Sequence, residues 1–232
     1  MLEIYSTIIW DCDGVVLNSN KVKTDAFRSV ALSFGEKAAN ALIDFHTQNG
    51  GISRYAKFEY FVDYILPTYS PHEYNGARSD LLLSLLAAFA KEVKTGLLKC
   101  EITLGLDKLR ESIPNACWLI VSGGDQEELR DVFDHRGLNH YFDGGIYGSP
   151  VDKHTIVEEL LRSQKIQLPA LFLGDSRLDH QVAKAFGLDF IFLNQWTEFA
   201  DWRRYCQSNE IQFFQSINDL LIHTILHKES KL

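Results

Sequence analysis

The chain has 232 residues, 31 acidic against 23 basic, for a formal net charge of −8, and 46% of its residues are hydrophobic. That length buries a sizeable core in one elaborated domain or two small ones, while the acidic balance and the lack of any long Lys/Arg run argue against a nucleic-acid partner. A membrane span is not expected: the longest apolar stretch, Leu81 to Ala90, is ten residues interrupted by Ser84, well short of the roughly 20 needed.

No basic start precedes the first apolar run, so a cytoplasmic location is expected. Cys12, Cys100, Cys117 and Cys206 have neither zinc-knuckle nor dithiol spacing and are expected reduced and mostly buried. Cys12 could instead act as a nucleophile, but no base stands near it in sequence. The histidines include no HExxH or paired metal spacing, which argues against zinc.

In chain order, Ile8, Ile9 and Trp10 predict a buried strand that ends in Asp11, Cys12, Asp13 and Gly14. Alternation along an extended segment places both carboxylates on one side, roughly 6–7 Å apart, where they must share something positive. Gly14 allows a sharp turn and close approach of a ligand, and the amides of Cys12 to Gly14 could face an anion. A metal-and-phosphate site is one reading; a plain Asp-Gly turn is the other.

From about Ser19 to Val93 the apolar spacing is helical. Val22, Ala26, Val30 and Phe34 share one stripe, and Tyr55, Phe58, Phe61, Val62 and Ile65 another that Pro67 is expected to stop. The aromatics Phe58, Tyr60, Phe61, Tyr64, Tyr69 and Tyr74 are expected in the core of this all-helical unit rather than stacked on a ligand.

After about Gly96, short apolar runs alternate with amphipathic segments, as in a parallel sheet covered on both faces. The runs are CWLIVS, ALFLGDS and DFIFLNQ, each followed by a polar turn. Ligands bind at the carboxyl ends of such strands, so Asp11, Ser122 and Asp175 should converge. The expected architecture is an α/β core of residues 1–17 and 97–232 with an all-α unit of residues 18–96 inserted after the first strand. Its hinges would be Asn18 to Lys21 and Thr95 to Lys99, and the charged tail after His227 is expected to fray.

Together, Asp11 to Gly14 (DCDG), Val121 to Gly124 (VSGG), Lys153 and Gly174 to Asp179 (GDSRLD) resemble, in order and spacing, the four motifs of the haloacid dehalogenase superfamily. The helical unit sits where the β-phosphoglucomutase and phosphoglycolate phosphatase branch carries its cap. The resemblance implies a Rossmann-like core and a Mg²⁺-dependent phosphatase of a small phosphorylated metabolite such as a sugar phosphate. Asp11 would attack phosphorus and form an aspartyl phosphate. Asp13 would act as acid, then base, so it should start protonated despite a reference pKa near ~3.9, pushed up by burial and by Asp11. Asp175 would face Asp11 across Mg²⁺, with the Asp13 carbonyl completing the protein ligands. Asp179 would support the metal from outside, unless it only closes a capping box with Ser176.

Ser122 and Gly123 would hold phosphoryl oxygens. A merely local role for Ser122 is the alternative, although a capping box between Asp125 and Glu128 would leave its hydroxyl free. Lys153 falls near the start of a helix announced by Ser149 and Pro150, where the dipole disfavours a cation by up to ~1 kcal/mol. A nearby anion, Asp11 or bound phosphate, would compensate; pairing with Asp152 or Glu158 is the other reading. In GGISRYAK, Arg54 resembles the mutase arginine that approaches a non-reacting phosphate, or is a solvated helix-start charge. His46 and Lys57 are weaker candidates.

The pattern departs from the family at Asn18, where an aspartate is common, and at Lys153, which follows rather than precedes the nearby proline; the mutase reading suffers more. Phosphomutase chemistry is the alternative activity, and a catalytically silent binding module is a third. Phosphonatase chemistry would need a Schiff-base lysine such as Lys21, Lys23 or Lys57. A glycosidase pair would leave Lys153 and Asp175 without a task.

Overall fold

The structure, a computed structural model, describes residues 2–70 and 76–229. Strand β1 (Thr7–Trp10) is buried throughout, so its continuous apolar run has a helical layer on each side. Ile8 and Trp10 face one layer and Ile9 the other. The chain then turns through residues 11–17, where Cys12 O accepts from the amides of Val16 and Leu17 and Gly14 N donates to Leu17 O.

A helical segment follows: α1 (Asn20–Ala31), α2 (Glu36–Gln48), α3 (Arg54–Tyr60), α4 (Leu66–Tyr69) and α5 (Arg78–Leu97). Phe27, Phe58 and Phe89 pack at its centre, with ring centroids 4.2–5.7 Å apart. Pro67 does not stop the second stripe. A π turn over Phe61–Ile65 joins α3 to α4, and this wider turn lies where the proline ring would otherwise meet the carbonyl four residues back. Among the described residues, Phe58 and Phe61 are the only expected core aromatics that are buried. Tyr60, Tyr64 and Tyr69 are exposed, since their positions fall on the outer side of that turn. Tyr74 and the last residues of the tail lie outside the described residues.

The rest of the chain alternates: α6 (Leu106–Ser112), β2 (Cys117–Asp125), α7 (Gln126–His135), β3 (Gly145–Ser149), α8 (Lys153–Arg162), β4 (Ala170–Gly174), α9 (Arg177–Ala185), β5 (Asp189–Leu193), α10 (Trp202–Ser208), β6 (Gln212–Phe214) and α11 (Ile217–Glu229). The six strands form one parallel sheet in the order β3-β2-β1-β4-β5-β6. Strands β3 and β6 escape the apolar-run criterion because each is a short edge, the first containing two glycines and the second of three residues. Since β1 pairs with β2 on one side and β4 on the other, the carboxyl end of β1 lies where the winding reverses, the place where such sheets bind ligands.

Packing connects the helical segment to one sheet face without a break, through Cys12, Val15, Val16 and Leu17. Phe58→Ala would remove a wholly buried ring from its centre, and a loss of about 3–5 kcal/mol in urea unfolding is expected; a loss below about 1 kcal/mol would mean that the rings do not form a packed core.

Candidate active site

Asp11 follows β1 directly. Its amide donates to Leu173 O on β4, extending the ladder by one residue, and its Oδ1 accepts from Cys12 N at 2.7 Å. Asp175 follows β4. Gly14 has φ +77°, and a Cβ there would stand 2.1 Å from Asp175 Oδ2, so glycine is required both by conformation and by the closeness of that carboxylate. Asn20 Nδ2 donates to the same oxygen at 2.7 Å and ties the start of α1 to it.

Asp179 lies in the first turn of α9 and has two tasks. Its amide and Oδ2 close a capping box with Ser176, and its Oδ1 accepts from Lys153 Nζ at 2.5 Å. Lys153 also reaches Asp11 Oδ1 at 2.9 Å. It opens α8 behind Asp152, whose side chain accepts from Thr155 N; the start therefore falls three residues beyond Pro150. Oxygens of Asp11, Asp175 and Asp179 lie within 4.8 Å of one another, all buried.

Three carboxylates around one ammonium leave net negative charge in a dry place. Burial, with Asp179 and Asp13 adding to it and Lys153 opposing, pushes the Asp11 carboxyl up to about 7, and burial with Asp11 and Asp179 pushes Asp175 well up.

Asp13 behaves in the opposite way. Burial opposes its charge, but Lys23 Nζ at 2.5 Å and Ser19 Oγ at 2.6 Å hold its carboxyl below the usual range. The expected protonated Asp13 is thus corrected to an ionised one. The two carboxylates do not share one cation either; each has its own lysine.

A small cavity of ≈ 70 Å³ lies between these residues and the helical segment, lined among others by Asp11, Asp13, Asp175, Gly123, Arg54 and Lys57. Gly123 stands against the backbone of the helical segment, where a Cβ would be 2.2 Å from Gly51 O. Arg54, in the first turn of α3, makes a bidentate pair with Glu128 on α7, while Tyr55 Oη donates to Asp125 Oδ2 at 2.6 Å.

A family model described as haloacid dehalogenase-like hydrolase matches residues 8–193. The chain belongs to that family. No curated protein matches it. Among solved structures, one described as a predicted phosphoglycolate phosphatase from Haemophilus somnus superposes with TM-score 0.73 at 18% identity, covering 97% of this chain and 100% of that one. A predicted phosphatase from Clostridium acetobutylicum gives TM-score 0.68 at 15% identity over 96% and 99%. CbbY from Rhodobacter sphaeroides, in complex with phosphate, gives TM-score 0.59 at 16% identity over 82% and 86%. These likenesses concern the α/β fold.

Within this haloacid dehalogenase-like chain, Asp11, Lys153, Asp175 and Asp179 come together, with Asp13 and Gly123 on the same cavity. Ser122 is wholly buried, and an Oγ lone pair is spent on Gly124 N at 3.0 Å, which leaves its hydroxyl hydrogen to donate. The amides of Cys12 and Gly14 are likewise spent, on Asp11 Oδ1 and Leu17 O. Asp125 caps α7 through Glu128 N, but the Glu128 carboxylate turns to Arg54 and no reciprocal box forms. Arg54 is consequently not a solvated charge. Asn20, Thr24 and Glu198 were not singled out by sequence; Asn20 and Thr24 sit among polar residues of an amphipathic helix, with no local signal to mark them.

The raised carboxyls have a consequence for stability. A group whose folded pKa exceeds its unfolded value holds its proton more tightly when folded, so the folded state loses stability as pH rises between the two, here from 3.8 to about 7 for Asp11. In chelator, Asp175→Asn should therefore gain on the unsubstituted chain as pH rises above the ordinary carboxylate value of 3.8, by at most about 1.4 kcal/mol per pH unit for one proton. A denaturation difference that stays constant with pH would contradict this charge state.

Proposed function

We propose that this hydrolase is a Mg²⁺-dependent phosphatase of small phosphorylated metabolites, sugar phosphates among them, that works through an aspartyl phosphate on Asp11. Residues 18–96 then form a cap over a catalytic core of residues 1–17 and 97–232. The observation that carries the reading is the buried triad Asp11, Asp175 and Asp179, whose oxygens lie within 4.8 Å of one another with Lys153 as their ammonium. Two negative charges there lack a partner, and hard carboxylate oxygens suit a divalent ion such as Mg²⁺ better than softer metals.

Asp11 and Asp175 would hold the ion by side chains and Asp13 by its carbonyl, with Asp179 behind them. When bound, it supplies positive charge against the carboxylates and the phosphoryl oxygens. Asp11 Oδ1 already takes Lys153 Nζ and Cys12 N, which leaves Oδ2 as the attacking atom. Attack forms the Oδ2–P bond while the ester O–P bond breaks and the departing oxygen takes a proton. Water then attacks phosphorus, Asp13 receives its proton, and Asp11 is regenerated with release of phosphate. The ionised Asp13 of this structure is in the form that the second half needs. For the first half Asp13 would first have to take up a proton and pass it to the departing oxygen; Lys23 Nζ on Oδ2 and Ser19 Oγ on Oδ1 are the donors that it faces. Lys153 and Gly123 line the place where phosphoryl oxygens would lie, with Ser122 fixing the Gly123–Gly124 turn from beneath.

Asp11→Asn should reduce phosphate release by at least about 10³-fold with the fold retained by circular dichroism; appreciable residual turnover would remove Asp11 as nucleophile. EDTA should silence hydrolysis and Mg²⁺ restore it, and indifference to chelation would dismiss the metal. For Asp13→Asn, an alkyl phosphate should lose about 10²-fold or more and p-nitrophenyl phosphate clearly less. Equal losses would rule out leaving-group protonation through Asp13. The mutase alternative would need Arg54 for a second phosphate, and Glu128 already occupies it; conversion of β-glucose 1-phosphate to the 6-phosphate without phosphate release would reinstate it.

A further inference from the structure

Asn20 is the first residue of α1, but its side chain leaves the helix and reaches the end of the sheet. Nδ2 donates to Asp175 Oδ2 at 2.7 Å and to Trp196 O at 2.9 Å. A carboxylate and a carbonyl can only accept, so the group lying between them must be the NH2 of the amide and not its oxygen. Both hydrogens are spent. The amide cannot turn without losing both bonds.

The partners of Asn20 are themselves held. Thr197, next to Trp196, donates from Oγ1 to the Asp175 carbonyl at 2.6 Å, and Glu198 accepts from Thr24, one turn further along α1. Gly14 closes the other side: a Cβ there would stand 2.1 Å from Asp175 Oδ2 and 2.4 Å from Asn20 Nδ2. Oδ2 is thus enclosed by Gly14 and the Asn20 amide. It carries the one side-chain hydrogen bond of Asp175 among the described residues, and Oδ1 carries none.

This difference between the two oxygens bears on a cation. Ca²⁺ takes about six to eight oxygens and often both of one carboxylate, whereas Mg²⁺ demands octahedral geometry, keeps several waters and takes few carboxylate oxygens. We propose that Asn20 is a positioning residue that withdraws Asp175 Oδ2 from the cation site, so that Asp175 offers Oδ1 alone and the site favours Mg²⁺ over the larger Ca²⁺. The inference rests on the Mg²⁺-dependent phosphatase reading for the presence of an ion beside Asp175. Chelation by both oxygens would require the carboxylate to rotate, and rotation breaks a hydrogen bond to a charged acceptor. The second bond, to Trp196 O, keeps the amide from following. Asn20 is therefore a fixed donor rather than a mobile one.

The test is calorimetric titration of the whole protein, stripped of metal, with Mg²⁺ and separately with Ca²⁺. In Asn20→Ala the released oxygen should let Ca²⁺ gain, so that the affinity for Ca²⁺ relative to Mg²⁺ rises about 10-fold or more, the range of one hydrogen bond to a charged group. Asn20→Ser, one bond shorter, should shift the ratio in the same direction and serves should the alanine variant not fold. An unchanged ratio, or an equal loss for both ions, is what a merely structural tie between α1 and the sheet would give, and either would overturn the proposal. Phosphate release from p-nitrophenyl phosphate with Mg²⁺ reads the other question. A shifted ratio without release would keep the role of Asn20 and remove the phosphatase reading; release with an unchanged ratio would do the reverse.

Discussion

Lys153 between Asp11 and Asp179 is the contact on which the rest of the site depends. One ammonium, wholly enclosed, is set at the N-terminal end of a helix where the dipole disfavours it, and it stays there because two carboxylates face it at 2.9 and 2.5 Å. It is insufficient for three. Burial, with the neighbouring carboxylates adding to it, raises Asp11 and Asp175 together. A site with three carboxylates and one ammonium is electrically incomplete with its own side chains, which is why a divalent cation is proposed for it.

The loop after β1 passes this demand to the backbone. Gly14 takes a left-handed conformation with Asp175 against it, and Asn20 then bonds the same carboxylate at the entry to α1. The charged centre and the first helical turn of the following segment are thus fixed to one another. On the opposite side, Arg54 to Glu128 and Tyr55 to Asp125 join α3 to α7, and Gly51 meets Gly123 backbone to backbone. Only small residues allow that approach. On that side the helical segment meets the sheet end through polar contacts and a close backbone approach.

Electrostatics inside the cavity divides its lysines by partner. Lys23 belongs to Asp13 and holds it ionised; Lys57 meets the His46 imidazole and the face of the Phe27 ring. Residues of one type, both from the helical segment, therefore have different capacities, decided by which acceptor lies within reach. Asp11 and Asp13, two residues apart, have carboxyls that move in opposite directions: at Asp11 burial, with Asp179 and Asp13 nearby, outweighs Lys153, whereas at Asp13 Lys23 and Ser19 outweigh burial.

Residue order alone determined the apolar runs of β1, β2, β4 and β5, the helical stretch between the first two, and the identities of Asp11, Asp175, Asp179 and Lys153, because strand periodicity and motif spacing are local properties of the chain. Short glycine-bearing β3 and three-residue β6 have too little apolar pattern to declare themselves. Tertiary structure decided everything that hinges on partners distant in sequence: the Lys23 contact that lowers rather than raises Asp13, the Glu128 carboxylate that claims Arg54, and the His46 imidazole and Phe27 ring that face Lys57. It also decided that Pro67 is carried through by a π turn and that Ser122 serves Gly124. Side-chain charge depends on distances in space and on exclusion of water, and neither is encoded by spacing along the chain.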